Sequence, residues 1–130
     1  MTCRLLVVDD EPTTLMAYRK LFRSSSVAID TAESAVDAVG LLERNTYRAI
    51  IVDLRLTGTT GTEGFDIIRH VKATSPDTGV ILVTAYGSPP VQERARDLGA
   101  AFYFEKPVPI RELRKVLESL GVRNSGEKGA

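Results

Sequence analysis

The stretch LLVVDDEP, residues 5–12, joins a run of four apolar side chains directly to two adjacent carboxylates, Asp9 and Asp10. The apolar run is too short for a helix core and fits a strand buried on both faces. Neighbouring anions repel, so the strand gains no stability by surfacing at Asp9 and Asp10. Pro12 follows, where a helix can start, because the first helical turn has no use for the missing N–H. The pattern is strand, acidic turn, helix, and the two acids are placed to receive something positive.

Working outward, short apolar runs alternate with longer helical patterns. RLLVV (4–8), VAID (27–30), AIIVD (49–53), GVILVT (79–84) and AFYF (101–104) read as strands. Between them lie faces at helical spacing. These are Leu15, Tyr18 and Phe22, then Val36, Val39 and Leu42 behind a Ser34 cap, then Phe65, Ile68 and Val71. Val91, Ala95 and Leu98 follow, stopped at Gly99, and Ile110, Leu113, Leu117 and Leu120 form the last face. Five strand–helix units predict a single α/β domain, with a parallel sheet, helices on both faces and right-handed crossovers. The polar, Gly-rich GVRNSGEKGA (121–130) reads as a frayed tail or the start of a linker.

Composition narrows the function. At 130 residues, 43% apolar and 26% charged, the chain suits one ordinary core. Lys plus Arg equals Asp plus Glu, 17 each, which does not indicate nucleic-acid binding by bulk charge. No basic recognition helix is visible, so specific DNA contact is not expected. No apolar run approaches the roughly 20 residues that span a bilayer. The short N-terminal apolar segment, soon interrupted by acids, is no signal peptide. Cys3 stands alone and reads as a reduced thiol, which suits the cytoplasm. His70, also alone, reads as a surface or packing residue of a helix.

In an open α/β sheet, ligands bind beyond the C-terminal strand ends. The first strand delivers Asp9 and Asp10 there, the third Asp53, the fourth Thr84, and the loop after the fifth Lys106. Each has an ordinary explanation alone: a turn-forming or capping Asp, a β-branched strand Thr, a solvated Lys. Capping alone does not collect all five at one edge. Three acids suit a hard divalent cation such as Mg²⁺, which takes oxygen ligands and usually one or two carboxylates.

LLVVDDEP, IIVDLRL (50–56), ILVTAYGS (81–88) and FYFEKPV (102–108) stand in an order and spacing that resembles a receiver (response-regulator) domain of bacterial two-component signalling. The resemblance covers about residues 3–121. It implies a flavodoxin-like, CheY-like fold: a doubly wound five-stranded parallel sheet of order 2-1-3-4-5 with five helices. It places a receiver domain over 1–121 and a flexible tail or truncated linker over 122–130. Asp53 matches the phosphoacceptor, which takes a phosphoryl group from a phosphohistidine on a sensor histidine kinase or a histidine phosphotransfer protein. Mg²⁺ or Mn²⁺ is then held by Asp10, Asp53 and the backbone carbonyl of Arg55, with Asp9 acting through a water. Lys106 pairs with the phosphoryl oxygens, and the Thr84 hydroxyl and Ala85 N–H hold the transferred group. Thr84 and Tyr103 match a switch that reshapes the surface of the fourth helix, fifth strand and fifth helix. That surface serves an output domain, a protein partner or a phosphorylation-dependent homodimer, with Arg94, Arg96, Glu112 and Arg114 available for ion pairs. Arg55 and Tyr86 flank the path of the hydrolytic water and tune the lifetime. The resemblance further implies a cis Lys106–Pro107 bond, a bacterial or archaeal cytoplasm, and no enzymatic turnover beyond self-catalysed phosphotransfer and dephosphorylation.

The loop LRLTGTTGTEGF (54–65) departs from the pattern. Thr57 stands where many receivers have proline, and Gly58, Gly61 and Gly64 make the loop Gly-rich. No Lys follows as in a Walker motif, so it reads as a lead into the third helix. Other functions fit less well. A phosphate-ester hydrolase of related chemistry needs a second acid two residues after the nucleophile, where this chain has Arg55. An FMN binder needs a phosphate cradle where this chain has acids. A receiver-like interaction module that is never phosphorylated remains the alternative, against which the full residue set argues.

Overall fold

β1 (Cys3–Val8), α1 (Pro12–Phe22), β2 (Val27–Ala32), α2 (Ala35–Arg44), β3 (Ala49–Asp53), α3 (Glu63–Thr74), β4 (Gly79–Thr84), α4 (Pro89–Leu98), β5 (Phe102–Glu105) and α5 (Ile110–Ser119) alternate strictly. They come from a computed structural model that describes residues 2–54 and 63–122. The five strands form one parallel sheet of order β2-β1-β3-β4-β5, as the resemblance implies. All connections carry a helix, as parallel neighbours require.

The central strands show why the apolar runs are unbroken. Leu5–Val8, Ala49–Val52 and Val80–Val83 are at most 1% exposed, because helices cover both faces. Leu6, Val8, Ile50, Val52 and Leu82 pack under α2, α3 and α4 through Ala38, Ile67, Ile68, Val71 and Ala95. Leu5, Val7, Ile51, Ile81 and Val83 pack under α1 and α5 through Leu15, Tyr18, Phe22, Leu113 and Leu117. Each buried large side chain contributes about 1.5–3 kcal/mol of transfer free energy. The strands therefore end rigidly, and that rigidity positions the polar residues at their C-terminal ends.

Local signals agree in detail. Ser34 Oγ accepts the Asp37 N–H at 3.1 Å and caps α2. Gly99, at φ +112°, ends α4 in the left-handed conformation that glycine supplies. Three expectations need correction. Val36 is 82% exposed, and α2 turns Ala35, Ala38, Leu41 and Leu42 inward. Small Ala38 lets the helix sit close to the sheet, which outweighs the larger apolar area of Val36. β2 runs on to Ala32 and β5 is shifted one residue, because pairing with β1 and β4 sets their ends. Val122, assigned to the tail, is buried and donates its N–H to Leu117 O at 2.8 Å, so it belongs to the domain. Arg94 and Arg114 lie over the rings of Phe65 and Phe22, at 5.1 and 5.3 Å. The tail 123–130 and loop residues 55–62 lie outside the described residues. No helix among the described residues is long and apolar enough to cross a membrane.

Candidate functional site

β1 ends at Val8, and the Asp9 N–H continues the ladder by donating to Ala32 O at 3.0 Å. This fixes the Asp9 backbone beside the end of β2. Asp9 Oδ1 accepts the Glu11 N–H at 2.9 Å, so one carboxylate oxygen does act as a turn former ahead of α1. The other oxygen, Oδ2, accepts from Lys106 Nζ at 3.1 Å. Lys106 Nζ also donates to Asp53 Oδ2 at 2.8 Å. Asp9 is 1% and Asp53 6% exposed, so these bonds form largely out of water. The Lys106 N–H donates to Thr84 O at 2.8 Å, which ties the end of β5 to the end of β4. The Lys106–Pro107 bond is cis.

Asp10 is half-buried next to them. Asp9, Asp10 and Asp53 each offer a carboxylate oxygen within 4.8 Å of the others. These are three hard donors on two strand ends, converging on one point, and they fit Mg²⁺ or Mn²⁺. Three formal negative charges face one ammonium, Lys106, among the described residues. Burial alone would push the Lys106 pKa down, but the hydrogen bond and charge of Asp53, joined by those of Asp9, outweigh it and hold the pKa above the ordinary lysine value.

Thr84 is fully buried at the end of β4, and its Oγ1 accepts the Tyr86 N–H at 3.0 Å. Ala85 is exposed beside it, and the Tyr86 side chain is exposed as well. Tyr103 is half-buried against the core under α4, and its hydroxyl donates to Glu105 Oε2 at 3.4 Å. The structure thus brings Asp9, Asp10, Asp53 and Lys106 together, with Thr84 tied to Lys106 through its backbone carbonyl. Arg55 lies outside the described residues.

Sequence reasoning missed two residues here. Tyr18 reads as a plain core residue of α1. Burial above all, with the charges of Asp9 and Asp53, raises its phenol pKa against an opposing Lys106, so the ring lies in the field of the site. Tyr18 and Lys106 also line a groove of about 460 Å³ with Thr14, Ala17, Leu21, Pro107, Val108 and Ile110. Gly64 reads as part of a loop, yet it sits in the first turn of α3. A Cβ there would lie 2.7 Å from Leu54 Cα and 2.9 Å from Asp53 O. Only glycine lets α3 dock this close to the backbone that carries Asp53.

Comparison with known proteins agrees with this geometry. Residues 5–118 match the response regulator receiver domain family. The chain is 26% identical over 129 residues to response regulator MprA of Mycobacterium sp. (strain KMS), covering 99% of this chain and 55% of that protein. It is 24% identical over 118 residues to sporulation initiation phosphotransferase F of Bacillus subtilis, covering 91% of this chain and 93% of that one. The chain thus spans about half the length of the first relative and nearly all of the second. In structure it is similar to a CheY-like receiver domain protein from Methanospirillum hungatei, with a TM-score of 0.84 at 23% identity, covering 98% of this chain and all of that one. The fold, the acidic cluster and the family match agree: the chain belongs to the response regulator receiver domain family.

Proposed function

We propose that this chain accepts a phosphoryl group on Asp53 from a phosphohistidine of a histidine kinase or a histidine phosphotransfer protein, with the help of a divalent cation. The observation that carries this is Lys106 bonded to both Asp9 and Asp53, beside three carboxylates whose oxygens lie within 4.8 Å of one another. A carboxylate oxygen of Asp53 attacks phosphorus. The P–N bond to the donor imidazole breaks, a P–O bond forms, and the product is an aspartyl phosphate. Phosphoryl transfer asks the protein mainly for alignment and neutralisation of charge. Asp10 and Asp53 would hold Mg²⁺ or Mn²⁺, with Asp9 and the Arg55 carbonyl completing the site. The metal supplies charge neutralisation for the incoming group.

Lys106 already lies within hydrogen-bond reach of Asp53, so it meets the phosphoryl oxygens by exchanging partners. The aspartyl phosphate carries about −2 charge where the Asp53 carboxylate carried −1, next to Asp9 and Asp10. The Thr84 hydroxyl then leaves the Tyr86 N–H for the phosphoryl group, the Ala85 N–H joins it, and Tyr103 moves into the space released. The α4–β5–α5 surface changes with it and presents the signal to an output domain, a protein partner or a second copy. The groove lined by Tyr18, Lys106 and Ile110 shares Lys106 with the site, and the donor is assigned to that side of the domain.

The test is intact-protein mass spectrometry after acetyl phosphate treatment, with and without Mg²⁺, on wild type and Asp53→Asn. One added phosphoryl group, dependent on Mg²⁺ and absent in the variant, is the expected result. If a folded wild type gains nothing and binds no beryllofluoride, the chain is an interaction module that keeps the residues without the reaction.

A further inference from the structure

Tyr103 and Glu105 leave the same face of β5, two residues apart, and both reach the turn between β4 and α4. Tyr103 Oη donates to Glu105 Oε2 at 3.4 Å. A Cβ built on Gly87, in that turn, would collide with the Tyr103 hydroxyl and lie 2.6 Å from Cγ and Cδ of Glu105. Gly87 has no positive φ, so the position needs glycine for space and not for backbone conformation. In the strand register Leu82 faces Tyr103 and Thr84 faces Glu105, so Thr84, Tyr103 and Glu105 share one face of the sheet. The turn is therefore gripped twice. Thr84 Oγ1 holds it from the strand end by accepting the Tyr86 N–H at 3.0 Å, and the phenol and carboxylate lie across it at Gly87.

We propose that Glu105 and Gly87 form a latch that holds the Tyr103 ring over the β4–α4 turn in the resting chain, and that its strength sets how readily phosphorylation shifts the chain to its signalling state. This rests on the function proposed above. The physical reasoning is population shift. Any contact made only in the resting state subtracts from the differential affinity with which a phosphoryl group favours the other state. Glu105 acts by positioning Tyr103 and takes no part in the transfer. At 3.4 Å and on an exposed strand edge the hydrogen bond is long, so the latch is soft and its effect modest. Gly87 is the steric half: it provides the slot in which the hydroxyl and the Glu105 stem lie together.

Two readouts test this on the full chain. The first is the phenol titration of Tyr103, followed by NMR of ring-labelled tyrosine without metal. Burial and the Glu105 charge and hydrogen bond raise its pKa, while the Ser88 backbone lowers it. Glu105→Gln removes the charge and should move the Tyr103 titration down. The second is beryllofluoride binding in excess Mg²⁺, as a stable stand-in for the phosphoryl group. Glu105→Leu and Gly87→Ala, which should displace the ring, are expected to bind it about 2- to 5-fold more tightly, with Mg²⁺ affinity unchanged. An unchanged Tyr103 titration in Glu105→Gln overturns the latch. So does a shifted titration with unchanged beryllofluoride affinity, since the contact then exists without setting the switch. A wild type that binds no beryllofluoride overturns the phosphoacceptor reading itself, an outcome the titration distinguishes from failure of the latch alone.

Discussion

Asp53 and Lys106, 53 positions apart in the chain, meet through a 2.8 Å hydrogen bond from Nζ to Oδ2. The same ammonium reaches Asp9, so one side chain bridges two buried carboxylates, one just past β1 and one at the end of β3. Lys106→Ala leaves both acids buried without it. The expected loss of stability in chelator is about 2–3 kcal/mol, below the ~3–5 kcal/mol of a fully buried pair because Lys106 is partly exposed. Excess Mg²⁺ should restore part of it, by placing positive charge where the ammonium was. Urea unfolding with EDTA and with Mg²⁺ measures both; an equal loss in the two conditions would contradict this account of the site.

The pH dependence of that contribution has a definite sign. The folded pKa of Lys106 is raised, so its stabilisation is fully present below the ordinary lysine pKa of about 10.4 and is lost as pH rises through the folded value. The difference in unfolding free energy between wild type and Lys106→Met should stay constant from neutrality up to that point and shrink above it. A difference that shrinks toward neutrality instead would show that the two carboxylates are not what holds the proton.

Metal and acids should be linked through stability as well. Asp53→Asn removes one of three formal negative charges yet keeps an acceptor oxygen for Lys106. Without metal it should therefore be more stable than wild type by about 0.5–1 kcal/mol, the size of a relieved charge–charge repulsion near a surface. Asp10→Asn should weaken Mg²⁺ binding by at least about tenfold, the scale of effect seen when groups around a metal are altered. Thermal unfolding across a Mg²⁺ titration reads both. Destabilisation of Asp53→Asn in EDTA would mean that the Lys106 contact outweighs the repulsion.

The site is legible in the sequence because it is made of strand ends. β1, β3 and β4 are buried on both faces, so their apolar runs are continuous and the residues at or just past their ends can be counted: Asp9, Asp53, Thr84. Lys106 lies one residue past β5, an edge strand that is only partly buried. The features hidden from the sequence depend on how elements approach one another. Val36 reads as inward because 36, 39 and 42 keep helical spacing, but Ala35, Ala38, Leu41 and Leu42 keep it equally well, and only docking on the sheet chooses between them. Gly64 and Gly87 look like loop punctuation. Their roles, closeness to the Asp53 backbone and to the Tyr103 hydroxyl, come from tertiary contacts that no local pattern records.

Gly64 yields a prediction against the usual sign. In an open helix, Gly→Ala stabilises by about 1 kcal/mol. Here the added methyl would meet Leu54 Cα at 2.7 Å and Asp53 O at 2.9 Å, which are backbone atoms that cannot rotate away. Gly64→Ala should therefore lose about 1–3 kcal/mol, the range for an overpacked core. It should also weaken Mg²⁺ binding, because α3 can retreat only by disturbing the segment that carries Asp53. A stabilised variant with normal Mg²⁺ affinity would show that the helix end yields without moving the site.

Under the proposed function, Tyr86 is placed to affect how long the aspartyl phosphate lasts. Its backbone N–H is bonded to Thr84 Oγ1 at 3.0 Å, while its ring is 63% exposed two residues beyond Thr84. Tyr86→Ala keeps the N–H and removes the ring, so the Thr84 contact is preserved. If the ring obstructs the water that hydrolyses the aspartyl phosphate, decay should quicken by about 2- to 10-fold, corresponding to a barrier lowered by ~0.4–1.4 kcal/mol. The measurement is loss of the phosphorylated mass over time after the phosphodonor is removed, with Tyr86→Phe as the control that should keep the wild-type rate. An unchanged or slower decay in Tyr86→Ala would mean that the ring lies clear of the water's path. A fast Tyr86→Phe would mean that the hydroxyl, not the bulk of the ring, restrains hydrolysis.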